Sequence, residues 1–321
     1  MTPAQLRAYA AIVRLGSFKL AAEELGVTES AVSFHVAQLR KELGDQLVGR
    51  QSTGLAFTPG GLRLARRAHE LLGLQDRTRA EVATAASGRR LLRLASSSLF
   101  GEYAAPGLLE LFASRARDLD VELSVHQPES FVDLLRSRSA DVAIGPRPPD
   151  LPTDVSAESF LRYEIVFVVA PDHPLAGRTV GASAVRHQHW FVGPSAAGEL
   201  GVVPALLHTL QVPEARQRIF QSQTAATEEV KRSPGIAPAL SFAVGKELAA
   251  GSLARVLLPE VVRTSSWDLL RIREATDAEP GSPTAELARF VTTPRAIQAM
   301  IKGTGVPSGR FRPSVHVTLW S

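Results

Sequence analysis

The chain has no cysteine among its 321 residues. Disulfides, thiolate catalysis, thiol redox sensing and cysteine-ligated zinc or iron–sulfur centres are therefore excluded. Hydrophobic residues make up 45% of the sequence, yet no apolar run reaches membrane-spanning length, so a soluble globular protein with no membrane partner is expected. The opening MTPAQLRAYA lacks the charged-then-apolar pattern of a secretory signal, which predicts a cytoplasmic location. Catalytic grammar is missing too. There is no Gly-x-Ser-x-Gly elbow, no Gly-x4-Gly-Lys phosphate loop and no dinucleotide fingerprint after the first predicted strand. His187 and His189 alternate on a possible strand edge, but no third metal ligand accompanies them. The sequence predicts no enzyme, no cofactor and no metal, and it carries no internal repeat or low-complexity tract.

A chain of this length has room for two or three domains. Net charge is only +4, but it is unevenly spread. Residues 1–90 hold 13 basic and 8 acidic side chains, residues 91–293 hold 19 and 24, and residues 294–321 hold Arg295, Lys302, Arg310 and Arg312 with no acid. A basic head on an acidic body points the head at a polyanion, although an excess of this size is modest by itself.

The first ninety residues have the richest grammar. Thr2-Pro3 opens a helix whose inner face is Leu6, Tyr9, Ala10 and Val13, and Gly16 ends it. A second helix covers about Phe18 to Leu25 and closes at Gly26. Thr28 caps a third, with Val27 and Val32 placed to form a hydrophobic staple. Val32, Val36, Leu39 and Leu43 share the inward face, so Glu29, Ser30, Ser33, Phe34 and Ala37 face out. An ordinary solvated helix face is the alternative. This one is short-chained and carries an outward phenyl ring, the composition of a helix that lies in the major groove of DNA, where small residues permit close approach and Phe34 can meet thymine methyls.

A hairpin-like stretch follows from Leu47 to Phe57, with Gly49 and Gly54 at its bends. Arg50 projects from it as a phosphate or minor-groove contact, or as a plain surface arginine. Thr58-Pro59 caps a helix that runs to about Ser87, roughly 45 Å at 1.5 Å per residue. Its a/d-like series is Leu64, Ala68, Leu71, Gln75, Thr78, Val82 and Ala85. A single half-apolar helix of this kind needs a partner helix, and a second copy of the chain is the simplest supplier.

The string SFKLAAEELGVTESAVSFHVAQLRKELGDQLVGR, followed by GLAFTPGGLRLARRA, resembles the LysR-type transcriptional regulators. Ser17, Ala21-Ala22, Leu25, Ala31-Val32-Ser33, Leu39, Glu42-Leu43-Gly44, Leu47, Arg50 and Thr58-Pro59-Gly61 fall at the family's signature spacings. The resemblance extends more loosely to about residue 293. It implies a winged helix-turn-helix that binds promoter DNA, dimerisation through the linker helix, homotetramers, contact with RNA polymerase, and a small-molecule effector held in a two-lobed domain like the periplasmic binding proteins. The opening TPAQLRAYAAIVRLGS and the GLRLA stretch look most like the subgroup governing carbon fixation and carbon monoxide dehydrogenase genes. Where the family commonly has Gln then Pro after the cap, and Arg after the Ala-Val-Ser, this chain has Glu29, Ser30 and Phe34. A different operator half-site is implied. Lys19, Thr28 and Arg50 are expected on phosphates, and Glu29, Ser30, Ser33 and Phe34 at base edges.

From Arg89 the period changes to strands alternating with ten-residue helices. Strands are expected at 91–95, 121–125 and 141–144, with helices at about Tyr103–Arg115 and Ser130–Arg138, forming a parallel, doubly wound sheet. A crossover near 146–162 leads to Ile165–Ala170, then to strands at 190–192 and 218–220, and Trp267–Ile272 returns to the first lobe. Ligands in such sheets sit beyond the carboxyl ends of strands, against helix N-termini that favour anions. Four short polar loops are aimed there: Ser96-Ser97-Ser98, Gln127 to Ser130, Gly193-Pro194-Ser195 and Ser222 to Thr224. Each alone reads as a helix cap, but together they predict an effector pocket of Ser96, Ser97, Ser98, Gln127, Ser130, Ser195 and Thr224 for a small anionic metabolite. Residues 275–283 read as a loop, Pro294–Met300 as a helix, and 314–319 as an extra edge strand or a contact to another subunit or to DNA.

The predicted fold class is mixed: a winged helix-turn-helix at 1–58 with its motif at 18–37, a linker helix at 59–88, and a two-lobed α/β effector domain at 89–293. Lobe I takes about 89–160 and 266–293, lobe II about 161–265, and a basic extension follows at 294–321. The rival readings are a small-molecule-binding protein and a cytosolic enzyme on the same doubly wound fold.

Overall fold

The computed structural model describes residues 1–51, 54–116, 118–273, 282–302 and 315–318. The chain divides into two compact units, one covering Met1–Ala83 with Arg136–Ser139 and the other Thr84–Leu135 with Ala140–Ser321.

In the first unit, α1 (Pro3–Leu15) starts with a full capping box: the Thr2 hydroxyl accepts from the Gln5 amide, and the Gln5 side chain accepts from the Thr2 amide. Ser17 caps α2 (Phe18–Leu25), which stops at Gly26 with φ +64°. There the Gly26 amide donates to Glu23 and the Val27 amide to Ala22, a left-handed closure that glycine adopts without a Cβ penalty. Thr28 caps α3 (Glu29–Leu43) by accepting from the Ala31 amide, and Gly44 ends it.

Tyr9, Ile12, Ala21, Ala22, Val32, Val36 and Leu39 form the shared core of these three helices. Two apolar residues expected to pack inward are exposed. Leu43 has the correct helical phase but is 42% exposed, because phase alone supplies no neighbour in a last turn. Val27, expected to pack on Val32, is 44% exposed, and its backbone closes α2.

Next comes the hairpin of β1 (Val48–Gln51) and β2 (Gly54–Phe57), paired antiparallel with Val48 opposite Phe57. Gly49 lies inside β1 opposite Ala56 rather than at a bend. The long helix α4 (Pro59–Ser87) begins under Thr58, whose hydroxyl accepts from the Gly61 amide at 2.9 Å. Its 29 residues measure about 43 Å. The expected apolar series splits. Ala68 and Leu64 pack on Leu6 and Ala10 of α1, joined by Leu72 from outside the series, whereas Leu71 and Val82 are exposed, as is the neighbouring Leu74.

The second unit opens with β3 (Arg90–Ser96), α5 (Ser98–Tyr103), α6 (Ala105–Arg115), β4 (Leu119–Val125), α7 (Phe131–Arg136) and β5 (Val142–Gly145). The helix expected at about Tyr103–Arg115 is α6, preceded by the short additional helix α5, and the one expected from Ser130 starts after a 3-10 turn at Pro128–Ser130. Then come β6 (Val155–Val169), α8 (Ala182–Arg186), β7 (Trp190–Val192), α9 (Val202–Thr209), β8 (Gln217–Ile219), α10 (Gln223–Val230), β9 (Ala237–Leu240), α11 (Gly245–Ala249), β10 (Ala254–Val256) and β11 (Thr264–Ile272). The last elements are α12 (Pro283–Val291), α13 (Pro294–Lys302) and β12 (Val315–Thr318). Helix α12 was not foreseen, and the rest of the expected 275–283 loop falls mostly outside the described residues.

The main sheet runs β10-β6-β11-β5-β3-β4-β12, with β9 also on β6. The adjacent strands β5, β3, β4 and β12 pair in parallel, whereas β11 is antiparallel to both its neighbours β5 and β6, so the sheet is mixed rather than purely parallel. The later part of the expected crossover near 146–162, from Val155 on, is strand. β6 runs unbroken for 15 residues, its first part on β11 and its end on β9 and β10. Polar residues such as Glu158, Ser159 and Arg162 concealed it, because one face of that stretch is solvated. β12 lies parallel to β4, with Val315 opposite Val121, as an added strand at the sheet edge. Among the described residues no helix is long and apolar enough to cross a membrane.

Candidate functional site: an exposed helix face and a cleft

Val32, Val36 and Leu39 turn one side of α3 into the core and fix the opposite side outward. On that side Glu29, Ser30, Ser33, Phe34 and Ala37 are all exposed, and Phe34 presents 60% of its surface. Thr28 serves the α3 cap, and its hydroxyl lies 2.9 Å from that of Ser30. Lys19 stands exposed on α2, 3.9 Å from Glu23. Arg50 occupies β1 opposite Leu55; its side chain lies outside the described residues.

One residue that sequence reading missed ties the hairpin to this helix. Arg40, near the end of α3, donates from Nε to the Gln46 carbonyl at 2.7 Å and from its guanidinium to the Val48 carbonyl. Its only sequence signal was a basic residue in a last helical turn, which normally reads as a dipole partner. A hollow lined by Phe18, Ser33, Val36, Arg40, Gln46 and Val48 separates α3 from the hairpin.

The base of the hairpin is fixed by a small polar network. The Asp45 carboxylate accepts from the Leu47 amide and the Thr58 hydroxyl, both at 2.7 Å. These two donors hold its pKa below the ordinary carboxylate value. The Leu47 carbonyl accepts from the Tyr9 hydroxyl at 3.0 Å and from the Thr58 amide at 3.0 Å. Burial, then the nearby Asp45 charge, push the Tyr9 hydroxyl up to about 12.

In the second unit a narrow cleft, with a cavity volume of about 20 Å³, brings together Ser97, Ser98, Gln127 and Ser195. Its walls are mainly apolar, including Leu99, Pro128, Pro146, Leu200, Val202 and Val203, and Tyr163 and Trp267 complete it. Trp267 is fully buried, with its ring centroid 5.2 Å from Phe100 and 4.5 Å from Tyr163.

Three expected pocket residues stand elsewhere. Ser96 is the last residue of β3 and fully buried, and its hydroxyl bonds to the Ser124 carbonyl at 3.5 Å. Ser130 donates back to the Gln127 carbonyl within its own turn. Thr224, at the start of α10, donates its hydroxyl to Tyr103 at 3.2 Å. The amides of that helix start, expected to receive an anion, are already taken. The Glu102 carboxylate accepts from the Gln223 and Thr224 amides at 2.9 and 2.7 Å, while Ser222 caps the helix by accepting from the Ala225 amide. In the same manner Glu129 accepts from the Glu199 and Leu200 amides at 2.5 and 2.6 Å. The Gln127 side chain donates to the Pro194 carbonyl at 3.2 Å.

Residues 3–62 match the bacterial regulatory helix-turn-helix protein family of lysR type, and residues 85–280 match the LysR substrate binding domain. The whole chain is 54% identical, over the full length of both, to an uncharacterised HTH-type transcriptional regulator of Mycobacterium tuberculosis. A RuBisCO operon transcriptional regulator of Allochromatium vinosum is 34% identical over 59% of this chain and 62% of its own. In fold, the chain is similar to CbnR in complex with its target DNA, with TM-score 0.55 and 18% identity over 95% of this chain and 100% of that one. It is also similar to a cysteine mutant of Corynebacterium glutamicum OxyR, with TM-score 0.54 and 22% identity over 95% and 96%. With its helix-turn-helix head, its mixed α/β body and matches to both family domains, the chain belongs to the LysR family of DNA-binding transcriptional regulators and is not an enzyme.

Proposed function

We propose that the protein reads promoter DNA with the outward face of α3 and alters transcription when a small molecule occupies the cleft of its second unit. The observation that carries the first part is the exposed, short-chained row of Ser30, Ser33 and Ala37 beside the protruding Phe34. Short side chains let a helix approach base edges, and a phenyl ring complements thymine methyls. Glu29 stands where it can accept from a cytosine amino group. Lys19, Thr28 and Arg50 hold phosphates and so set position rather than sequence.

In this reading α4 pairs two chains through Leu71, Leu74 and Val82, and two dimers form a tetramer that acts in the cytoplasm and contacts RNA polymerase. The proposed working parts are 1–58 for DNA, 59–88 for pairing, 89–293 for the effector and 294–321 as a basic extension. Within the effector part, lobe I takes about 89–160 and 266–293, and lobe II about 161–265. The ligand changes promoter action only if it binds two arrangements of the assembly with different affinity. Protection of duplex DNA from chemical cleavage by the full-length protein, with and without substitutions at Ser33 and Phe34, tests the reading. A protected major-groove tract that the substitutions abolish is the expected result, and protection indifferent to them contradicts it.

A further inference from the structure

Three buried polar atoms on the cleft wall have no hydrogen-bond partner among the described residues: the Ser97 hydroxyl, the Ser195 hydroxyl and the Trp267 indole nitrogen. Such groups ordinarily find one. Yet the cavity they line measures about 20 Å³, enough for little more than a water molecule. A wall built to bond a guest thus encloses no room for a larger one.

The two sides of the cleft are tied together by the protein's own side chains. From α5, the Glu102 carboxylate reaches the start of α10 and accepts from the Gln223 and Thr224 amides, while the neighbouring Tyr103 receives the Thr224 hydroxyl. From the turn after β4, Glu129 accepts from the Glu199 and Leu200 amides, and Gln127 donates to the Pro194 carbonyl. The bonds to the two carboxylates are the stronger ones, because their acceptor is charged. Neither carboxylate lines the cavity; they hold its sides rather than its contents. The apolar walls also meet, but apolar contact is non-directional and does not by itself fix two surfaces at one spacing.

The connection between the sides can bend. The strands β6 and β11 both run from one side to the other: β6 starts on β11 and ends on β9 and β10, and β11 continues onto β5. Their register slips at one place, where Trp267 faces Leu161 but Asp268 faces Ser159, leaving Phe160 without a counterpart. A bulge interrupts the ladder and bends its strand. This one adjoins Trp267, on the cleft wall.

We propose that Glu102 and Glu129 are latches that hold the cleft shut, and that it admits a molecule larger than water only when they release the amides of the far side and β6 and β11 bend at Phe160. The proposal rests on the cleft being the effector site. It adds that the effector's apparent affinity is reduced by the fraction of molecules whose latches are closed.

The chain has no cysteine, so a single introduced thiol reports alone. The full-length protein carrying Ser97→Cys, at a position 5% exposed on the cleft wall, is alkylated with iodoacetamide. Its rate is divided by that of Ala143→Cys, a fully buried position in a separate core cluster, which removes the contribution of unfolding. Glu102→Ala with Glu129→Ala should raise this ratio about tenfold or more, since one charge-assisted hydrogen bond is worth about tenfold in population. Glu102→Gln with Glu129→Gln, which keep the shape and remove the charge, should raise it less. A ratio that neither pair alters overturns the latch, and so does a Ser97→Cys thiol that reacts as fast as a free one while both glutamates are in place. The labelling needs no effector, so either result leaves the assignment of the cleft untouched. That assignment fails by a different sign, a footprint on duplex DNA that alkylation of Ser97→Cys does not alter.

Discussion

The Tyr9 hydroxyl donates to the Leu47 carbonyl at 3.0 Å, joining the first helix of the DNA-binding unit to the residue that leads into the hairpin. Leu47 adopts φ 59°, a conformation uncommon for a non-glycine residue, and its carbonyl also receives the Thr58 amide. One carbonyl thus holds α1, the hairpin and the start of α4 in register. The exposed face of α3 is presented from this frame.

Tyr9→Phe should destabilise the DNA-binding unit by about 1 kcal/mol, the net worth of one buried hydrogen bond whose acceptor keeps a second partner. The hydroxyl titrates at about 12 in the folded protein against 10.0 normally. Below the lower value its contribution to stability is complete; it is lost as pH rises from there through the higher one. Chemical denaturation of wild type and Tyr9→Phe across that alkaline range should show a decline that the variant lacks.

Gly61→Ala should be more damaging. A Cβ at this position would lie 2.2 Å from the Leu47 carbonyl oxygen and 2.3 Å from the Tyr9 hydroxyl, and the backbone there has little room to yield. A loss of about 3 kcal/mol is expected, with the melting temperature as readout.

Asp45 gives an acid-side counterpart. Its carboxylate is favoured by the Leu47 amide and the Thr58 hydroxyl, so its folded pKa is depressed. Its stabilisation is present above the ordinary carboxylate pKa and disappears as pH falls through the depressed value. Asp45→Ala should flatten the acid limb of the stability profile and, because the Asp45 charge adds to the effect of burial on Tyr9, shrink the alkaline limb without abolishing it.

Much of this frame could be read from the sequence because caps and turns are local. Thr2, Ser17, Thr28, Gly26 and Gly44 do in the structure what their residue types predict. What could not be read depends on distant partners. Glu102 reaches the start of α10 across more than a hundred residues, and no local pattern distinguishes a carboxylate that fills a helix end from one that faces water. Ser96 looked like a loop residue because hydroxyls in a row suggest a polar turn, whereas it completes a buried strand. The first part of β6 was covered by the expected crossover because its exposed polar residues interrupt the apolar run that marks the rest of the strand. Leu71, Leu74 and Val82 remain exposed on α4, in keeping with a partner helix supplied by a second chain.

Replacing Leu71 and Leu74 together with glutamate should therefore shift the protein to monomer in sedimentation while leaving its helical content intact. Unchanged oligomers would remove this face of α4 from the pairing surface.

Arg50→Ala should weaken binding to all duplexes alike and reduce the salt dependence of affinity by about one unit of slope. An unaltered slope would take Arg50 off the phosphate backbone.

The most direct measurement is selection of binding sites by the full-length protein from a random duplex pool, with wild type compared against Phe34→Ala. Phe34 is 60% exposed, so its removal should leave folding untouched. The account predicts a defined site for wild type and, for the variant, relaxed preference at one base pair by about 1–3 kcal/mol, with the rest of the site retained. An identical preference at every position, or a uniform loss across all sequences, would contradict docking of the α3 face in the groove.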